Sequence, residues 1–471
     1  MGTTNKYTIN IRGLEEISKH SINPTSTIVI GGHPGAGKTT LATAICKDNM
    51  ERGHKCLYIS FQEEKDRLYM IMRGIGIDLN YYENIELFKF VRLPITLEPD
   101  VLMSTLNSLI LEFTPNIVVI DSITPIIESV DTSSRKRALV QNYLYNLSKT
   151  INGVIILLAE LEFGDDKLQL GNISFVSDIL ILLKYKLERG LMIREMEIKK
   201  ARGAPVRLAQ IPFAITSKGF RTFPPPSPQQ IKVGESGKYQ LSFPILKDYI
   251  GNISSGENFL MVCEPDARST LSIYILLDIL ATNNLKGLIV TYRYGAGEGK
   301  ELIARALGTT GLSTNEATRI MDKHLEVMSV NPSGMSMIEL LAYETMLVEE
   351  KRPDVLMYHG IDVFNSIVNQ QSYFNELLNQ MFTLKKMGIV VARYMNNVDD
   401  TFYRRNAALS DFIIKGKFTD KCGEKYLDNF GLCFYAWRRG RKPRFITESE
   451  AFSPVNLSNL RELLLRSIER E

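Results

Sequence analysis

Eight consecutive residues constrain this chain more than any others. Gly32-His33-Pro34-Gly35-Ala36-Gly37-Lys38-Thr39 fits the pattern G-x-x-x-x-G-K-[ST] in full. The apolar run Thr27-Ile28-Val29-Ile30 precedes it and Leu41-Ala42-Thr43-Ala44-Ile45 follows it. The segment therefore reads as a turn from a strand into a helix, which is the context this motif requires. Its glycines let the backbone wrap closely, so that amide N–H groups face phosphates and the helix N-terminus adds positive potential. Lys38 is expected to reach the β- and γ-phosphates of a nucleotide, and Thr39 to ligate Mg2+. His33, Pro34, Ala36 and Thr40 complete the expected binding segment. A Gly-rich turn without a ligand would have no use for Lys-Thr between these two elements.

Three further groups of residues join this site by position. Asp121 ends the apolar run Ile117-Val118-Val119-Ile120, and a carboxylate at the end of a buried strand is where a water-mediated Mg2+ ligand is expected. A strand-end Asp that merely caps the next turn is the plain alternative. Gln62, Glu63 and Glu64 follow the strand-like Cys56–Phe61; a carboxylate there is a candidate general base for the attacking water. Without the phosphate loop upstream, they would read as a solvated turn. Lys200 and Arg202, just before Gly203, are either an ordinary solvated turn or a finger that reaches the γ-phosphate of a neighbouring subunit.

Length and composition set the frame for these residues. A chain of 471 residues, 44% hydrophobic and 23% charged, has material for two sizeable cores. A net charge of +3 does not indicate a nucleic-acid or membrane partner. The five cysteines form no CxxC and no zinc spacing, so reduced thiols are expected. No apolar run is long enough to span a bilayer and no signal-type segment opens the chain, so a soluble cytoplasmic protein is expected.

The prolines at 224, 225, 226 and 228 mark a joint near the midpoint. The halves on either side are diverged repeats. Thr39 aligns with Thr270, Gln62 with Arg293, Asp121 with His359, Asp178 with Asp411 and Arg202 with Arg439, in the same order and at nearly constant spacing. Short β-rich runs alternate with helix-like segments, which predicts an α/β fold with a mainly parallel, twisted sheet flanked by helices in each half. The segment 179–203 reads as a hairpin that adds antiparallel strands at one edge. The expected domains are 1–223, a Pro-rich linker at 224–230, a second domain at 231–450 and a helical tail at 451–471.

GHPGAGKTT, SFQEE, VVIDS, FVSDILILL and IKKARGAP, followed by PFAITSKGFRTFP, resemble the KaiC family, a branch of the RecA superfamily of ATPases. The resemblance covers nearly all of the first half. It implies two tandem RecA-like domains and a ring, usually a hexamer, with ATP and Mg2+ between subunits. Lys38, Thr39 and Asp121 would then act in cis, and Lys200 and Arg202 in trans. Two departures stand out. The family commonly carries Phe-Glu-Glu where this chain has Phe61-Gln62-Glu63. Gln62 can orient water but cannot accept its proton, so Glu63, or Glu64 after a local shift, must serve as base. In the second half the loop is Cys263-Glu264-Pro265-Asp266-Ala267-Arg268-Ser269-Thr270, the strand-end aspartate is His359 and the acidic pair is Arg293-Tyr294. Losing the cradle, the lysine, the Mg2+ ligand and the base together predicts a dead second site.

The function expected from these readings is a KaiC-like signalling or assembly ATPase. It would bind and slowly hydrolyse ATP in the first domain, with the second domain as a scaffold or a surface for a protein partner. Autokinase activity in the second domain is not expected. Two alternatives remain. One is a RecA/RadA-like DNA-dependent ATPase, favoured by Arg135-Lys136-Arg137 and opposed by the acidic segment 160–166. The other is a regulator resembling the P-loop protein GvpD, suggested by the basic cluster from Arg438 to Arg444.

Overall fold

A computed structural model of the chain describes residues 7–95, 98–129, 134–161, 177–225, 238–265, 270–396, 399–419 and 431–469. The chain divides into two compact units, Met1–Pro224 and Pro225–Glu471.

Among the described residues the first unit holds nine strands: β1 (Thr27–Gly32), β2 (Cys56–Ser60), β3 (Phe88–Arg92), β4 (Ile117–Asp121), β5 (Val154–Glu160), β6 (Ile179–Glu188), β7 (Leu191–Ala201), β8 (Gln210–Thr216) and β9 (Gly219–Thr222). They form one sheet in the order β3-β2-β4-β5-β1-β6-β7-β8-β9. The pairs from β3 to β6 are parallel. The pairs from β6 to β9 are antiparallel, so the expected edge hairpin is present. Every residue of β1 and β2 is buried, as a strand covered on both faces must be. Even so, alternate residues serve different cores. Ile28, Ile30 and Tyr58 pack beneath the helix Lys38–Met50. Val29, Leu57 and Ile59 pack beneath the helices Pro99–Phe113 and Ser134–Thr150. Each such aliphatic side chain, fully buried, contributes about 1.5–3 kcal/mol.

The second unit holds β10 (Asn258–Cys263), β11 (Gly287–Thr291), β12 (Leu325–Ser329), β13 (Val355–His359), β14 (Val390–Asn396), β15 (Phe412–Thr419), β16 (Gly431–Arg438) and β17 (Arg444–Thr447). Their order is β12-β11-β13-β14-β10-β15-β16-β17. Strand for strand, this repeats the order of the first sheet from β3 to β8, and no counterpart of β9 is found among the described residues. The internal repeat read from the sequence is therefore a repeat of topology, and each unit has the tandem RecA-like α/β layout. One detail fixes the correspondence at residue level. Asp178 accepts a hydrogen bond from Thr27 N at 2.9 Å, and Asp411 accepts the same bond from Asn258 N at 3.0 Å. Each aspartate thereby ties the strand after it to the strand that leads into its loop.

The 454–469 part of the expected helical tail is packed against the second core. The helix Pro454–Glu469 buries Leu460 and Leu464 there, and its Ser467 hydroxyl meets His324 Nε2 at 3.0 Å. No described helix is long and apolar enough to cross a membrane. Cys46, Cys56 and Cys263 are buried thiols. Cys433 is disulfide-bonded, which departs from the expectation of reduced thiols throughout.

Candidate functional site

The loop between β1 and the helix Lys38–Met50 owes its shape to two glycines with positive φ, Gly35 at +75° and Gly37 at +103°. Gly37 takes the left-handed conformation at the helix N-cap, which a side chain would strain. A Cβ there would also lie 2.7 Å from Ile215 Cδ1. At Gly32 a Cβ would lie 2.4 Å from the Leu183 carbonyl oxygen of β6. Side chains are thus excluded at both ends of the loop, leaving the close backbone wrap that phosphate oxygens need. Ala36 and Thr40 are buried, and the His33 ring packs edge-on to Tyr185 with ring centres 5.6 Å apart.

Lys38 curls back into this loop. Its ammonium donates to the carbonyl oxygens of Gly32 at 2.9 Å and His33 at 3.1 Å, and to Glu160 Oε2 at 2.8 Å. Glu160, the last residue of β5, was read from the sequence only as the start of an acidic segment and was not expected at this site. Beside Lys38, the Thr39 hydroxyl donates to Asp121 Oδ2 at 3.0 Å, and the Tyr58 hydroxyl donates to the same oxygen at 2.6 Å. Burial pushes the Asp121 carboxyl above its ordinary range, against the opposing pull of the Tyr58 and Thr39 hydroxyls and the Lys38 charge. Thr39 and Asp121, 82 positions apart in the chain, thus meet at one corner of the loop. An oxygen pair of this kind, completed by phosphate oxygens and water, suits Mg2+. Among the described residues, no group of three or more His, Cys, Asp or Glu side chains is placed to hold a metal alone.

The turn after β2 is fixed by Ser60, whose hydroxyl accepts from Glu63 N at 2.9 Å and Gln62 N at 3.3 Å. Ser60 lies directly beside Asp121 in the β2–β4 register, so the turn borders the corner where Thr39 meets Asp121. Gln62 is exposed. Glu63 is half-buried, with Oε2 3.4 Å from Arg67 Nε. Glu64 caps the next helix at its backbone and pairs with Arg92 on the exposed surface. Of the three, Glu63 is the one partly shielded from water beside the site.

Lys200 and Arg202 lie elsewhere. Leu180 pairs with Lys200 in the β6–β7 hairpin, and Ile28 pairs with Ile179. The two cations therefore flank the start of β1, whereas the loop that leads to Lys38 follows its end. At ~3.3 Å per residue along the strand, the ends are roughly 16 Å apart. The hairpin's tip is at Arg189 and Gly190, and Gly203, at φ +82°, opens the connection to β8. Arg202 is mostly exposed and its guanidinium rests 3.2 Å from Asp178. Burial, and then the Arg202 charge, pull the Lys200 ammonium below its ordinary value.

The second unit keeps the same local frame with different chemistry. Thr291 stands where Ser60 does, accepting from the backbone of Arg293 and Tyr294, each at 3.3 Å. Thr291 is paired in register with His359, as Ser60 is with Asp121. The Arg293 guanidinium pairs with buried Asp362, which also accepts from Asn396 N at 3.0 Å. The position of the first unit's Gln62 is thus taken by a structural ion pair. His359 stacks on Tyr394 at 4.9 Å and on Tyr294 at 5.5 Å. These rings, with Thr270, Thr291 and Ile303, border a largely apolar cavity of about 270 Å3. Residues 266–269 of the diverged loop lie outside the described residues, as do 226–230 of the linker and 162–166 of the acidic segment; of Arg135, Lys136 and Arg137 only the helical backbone is described. Arg439, Arg441, Lys442 and Arg444 of the C-terminal basic cluster are exposed, while Arg438 is half-buried against Glu257.

Residues 7–227 match the family model of the KaiC ATPase. The chain is 27% identical over 180 residues to the circadian clock protein KaiC3 of Synechocystis sp., covering 38% of this chain and 36% of that protein. It is 25% identical over 181 residues to KaiC2 of the same organism, covering 38% and 32%. It is 24% identical over 220 residues to the circadian clock oscillator protein KaiC of Thermosynechococcus vestitus, covering 45% and 42%. The chain spans less than half the length of each of these relatives.

Proposed function

Residues 7–227 are a KaiC-family ATPase domain of the RecA superfamily, and from that premise we propose that the chain binds ATP with Mg2+ in its first unit only and hydrolyses it slowly. The observation that carries this reading is the convergence of Lys38, Thr39 and Asp121 on one glycine-shaped loop. Gly32 to Thr40 would cradle the phosphates, with the Lys38 ammonium on the β- and γ-phosphates. Thr39 and Asp121 would hold Mg2+, which supplies charge neutralisation to the phosphates. Glu63 is the favoured base for the attacking water because it is half-buried next to the Mg2+ corner. Gln62 would orient that water, and Glu64, already paired with Arg92, is the reserve.

In the second unit, the ion pair of Arg293 with Asp362 and the stacked His359 support a scaffold or partner surface in place of a nucleotide site. Autophosphorylation there is not expected. Lys200 and Arg202 stand too far from their own loop to serve it, which favours action on a neighbour's nucleotide in a homo-oligomeric ring, most simply a hexamer. Titration calorimetry with Mg2+-ATP tests the whole reading. The expected result is one site per wild-type chain and none in Lys38→Ala. Binding that survives in Lys38→Ala, or two sites per wild-type chain, would refute the assignment of the site to the first unit alone. Salt-dependent DNA binding by the full chain would instead favour a DNA-dependent ATPase or a GvpD-like regulator.

A further inference from the structure

Lys38 has no donor to spare. A lysine ammonium carries three N–H donors, and Gly32 O, His33 O and Glu160 Oε2 accept from it at 2.9, 3.1 and 2.8 Å. Its side chain is almost fully buried, so water does not readily replace any of these partners. Two of the acceptors are neutral carbonyls of the loop itself. The third is a full negative charge delivered from another strand.

Glu160 is held in that position by its backbone. It lies opposite Gly32 in the β1–β5 register. Its N–H donates to the Thr124 hydroxyl at 2.8 Å, and the next residue, Leu161, donates to Gly32 O at 3.0 Å. The carboxylate is therefore anchored on the two central strands that bracket the loop, a third exposed and pointing at the lysine.

We infer that Glu160 is a built-in competitor for the γ-phosphate, holding Lys38 in the empty site and limiting how strongly the first unit prefers a nucleoside triphosphate over a diphosphate. The inference rests on the reading that Lys38 serves the phosphates. A lysine in this motif reaches the β- and γ-phosphates. To engage it, a γ-phosphate oxygen must either displace the Glu160 carboxylate or settle beside it. In both cases a negative group is brought against a negative group in a partly desolvated corner, where like charges repel strongly. A diphosphate lacks the phosphoryl group that comes closest and meets less of this repulsion. Glu160 thus lowers triphosphate affinity more than diphosphate affinity, which keeps the two closer together than the loop alone would.

The test measures the affinities of Mg2+-AMP-PNP and Mg2+-ADP for the wild type, Glu160→Gln and Glu160→Ala, with thermal unfolding of each variant as a check on folding. Glu160→Gln keeps an oxygen acceptor for Lys38 and removes the charge. It is expected to tighten AMP-PNP by roughly tenfold, a value discounted for the partial exposure of the carboxylate, and to change ADP by less than about threefold. Glu160→Ala is expected to move the ratio in the same direction. If the wild type binds both nucleotides and neither variant raises the AMP-PNP to ADP affinity ratio, the inference is overturned while the Lys38 assignment stands. If the wild type binds neither nucleotide, both fall.

Discussion

Glu344 is a carboxyl group at 3% exposure in the second core, and replacing it by glutamine measures what its charge costs the fold. It lies on the helix Met337–Lys351, beside the hydroxyls of Tyr292 and Tyr358 and the amide of Gln380 from the helix Gln370–Lys386. Burial raises its pKa from the ordinary 4.5 to about 7, against the pull of those hydrogen bonds and of Arg393. The folded state therefore holds this proton more tightly than the unfolded chain does. The stabilisation is fully present below pH 4.5 and is lost as pH rises through 7. A shift of this size corresponds to about 3 kcal/mol, at about 1.4 kcal/mol per pH unit. Glu344→Gln mimics the protonated form and does not titrate. Gln380 can turn its amide to present its oxygen to the new NH2 group. Relative to the wild type, the variant is expected to gain stability steadily from pH 5 to 7 and then level off. The assay is urea unfolding across pH 5–8.5, followed by the fluorescence of Trp437. This is the sole tryptophan of the chain, and it packs against the same cluster. A stability difference between variant and wild type that is flat with pH, or that falls as pH rises, would refute the reasoning. A flat difference would mean that Glu344 does not change its protonation state across this range, as a carboxylate kept ionised by Arg393 would not.

Three further outcomes are expected. Glu63→Gln should retain Mg2+-ATP binding and lose turnover by roughly 10²–10⁴-fold, measured as phosphate release; if only Glu64→Gln does this, the base is one residue further on. Arg202→Ala should lower turnover without weakening nucleotide binding in the same chain. Mixing it with Lys38→Ala should restore activity wherever an intact loop faces an intact Arg202, whereas mixed assemblies that stay inactive would return Arg202 to an ordinary surface ion pair with Asp178. Gly37→Ala should weaken nucleotide binding and lower stability by ~1 kcal/mol or more, because it adds left-handed strain to a 2.7 Å approach to Ile215; an unfolding midpoint equal to the wild type's would contradict that geometry.

The features set by neighbouring residues were legible in the sequence alone. Gly32 to Thr40 is contiguous, and its strand and helix flanks are written beside it. Alternating apolar runs were enough for the parallel sheets, and the repeated landmarks were enough for the repeated topology, because both depend on local order along the chain. The features decided by the tertiary structure all join distant segments. Glu160 meets Lys38 across 122 positions, and Tyr58 meets Asp121 across 63. Neither residue carries a local signal for its partner, since Glu160 reads only as the start of an acidic segment and Tyr58 as an ordinary strand residue. Arg293 was legible as a lost acidic residue, but its pairing with Asp362 was not, because that contact exists only once β11 and the turn after β13 lie side by side. Lys200 and Arg202 were identified by their charge and their glycine. Only the register of β6 on β1 put them beside the start of β1, away from the loop of their own chain. Sequence order fixes which backbone can wrap a phosphate, whereas strand pairing decides which charges that phosphate will meet.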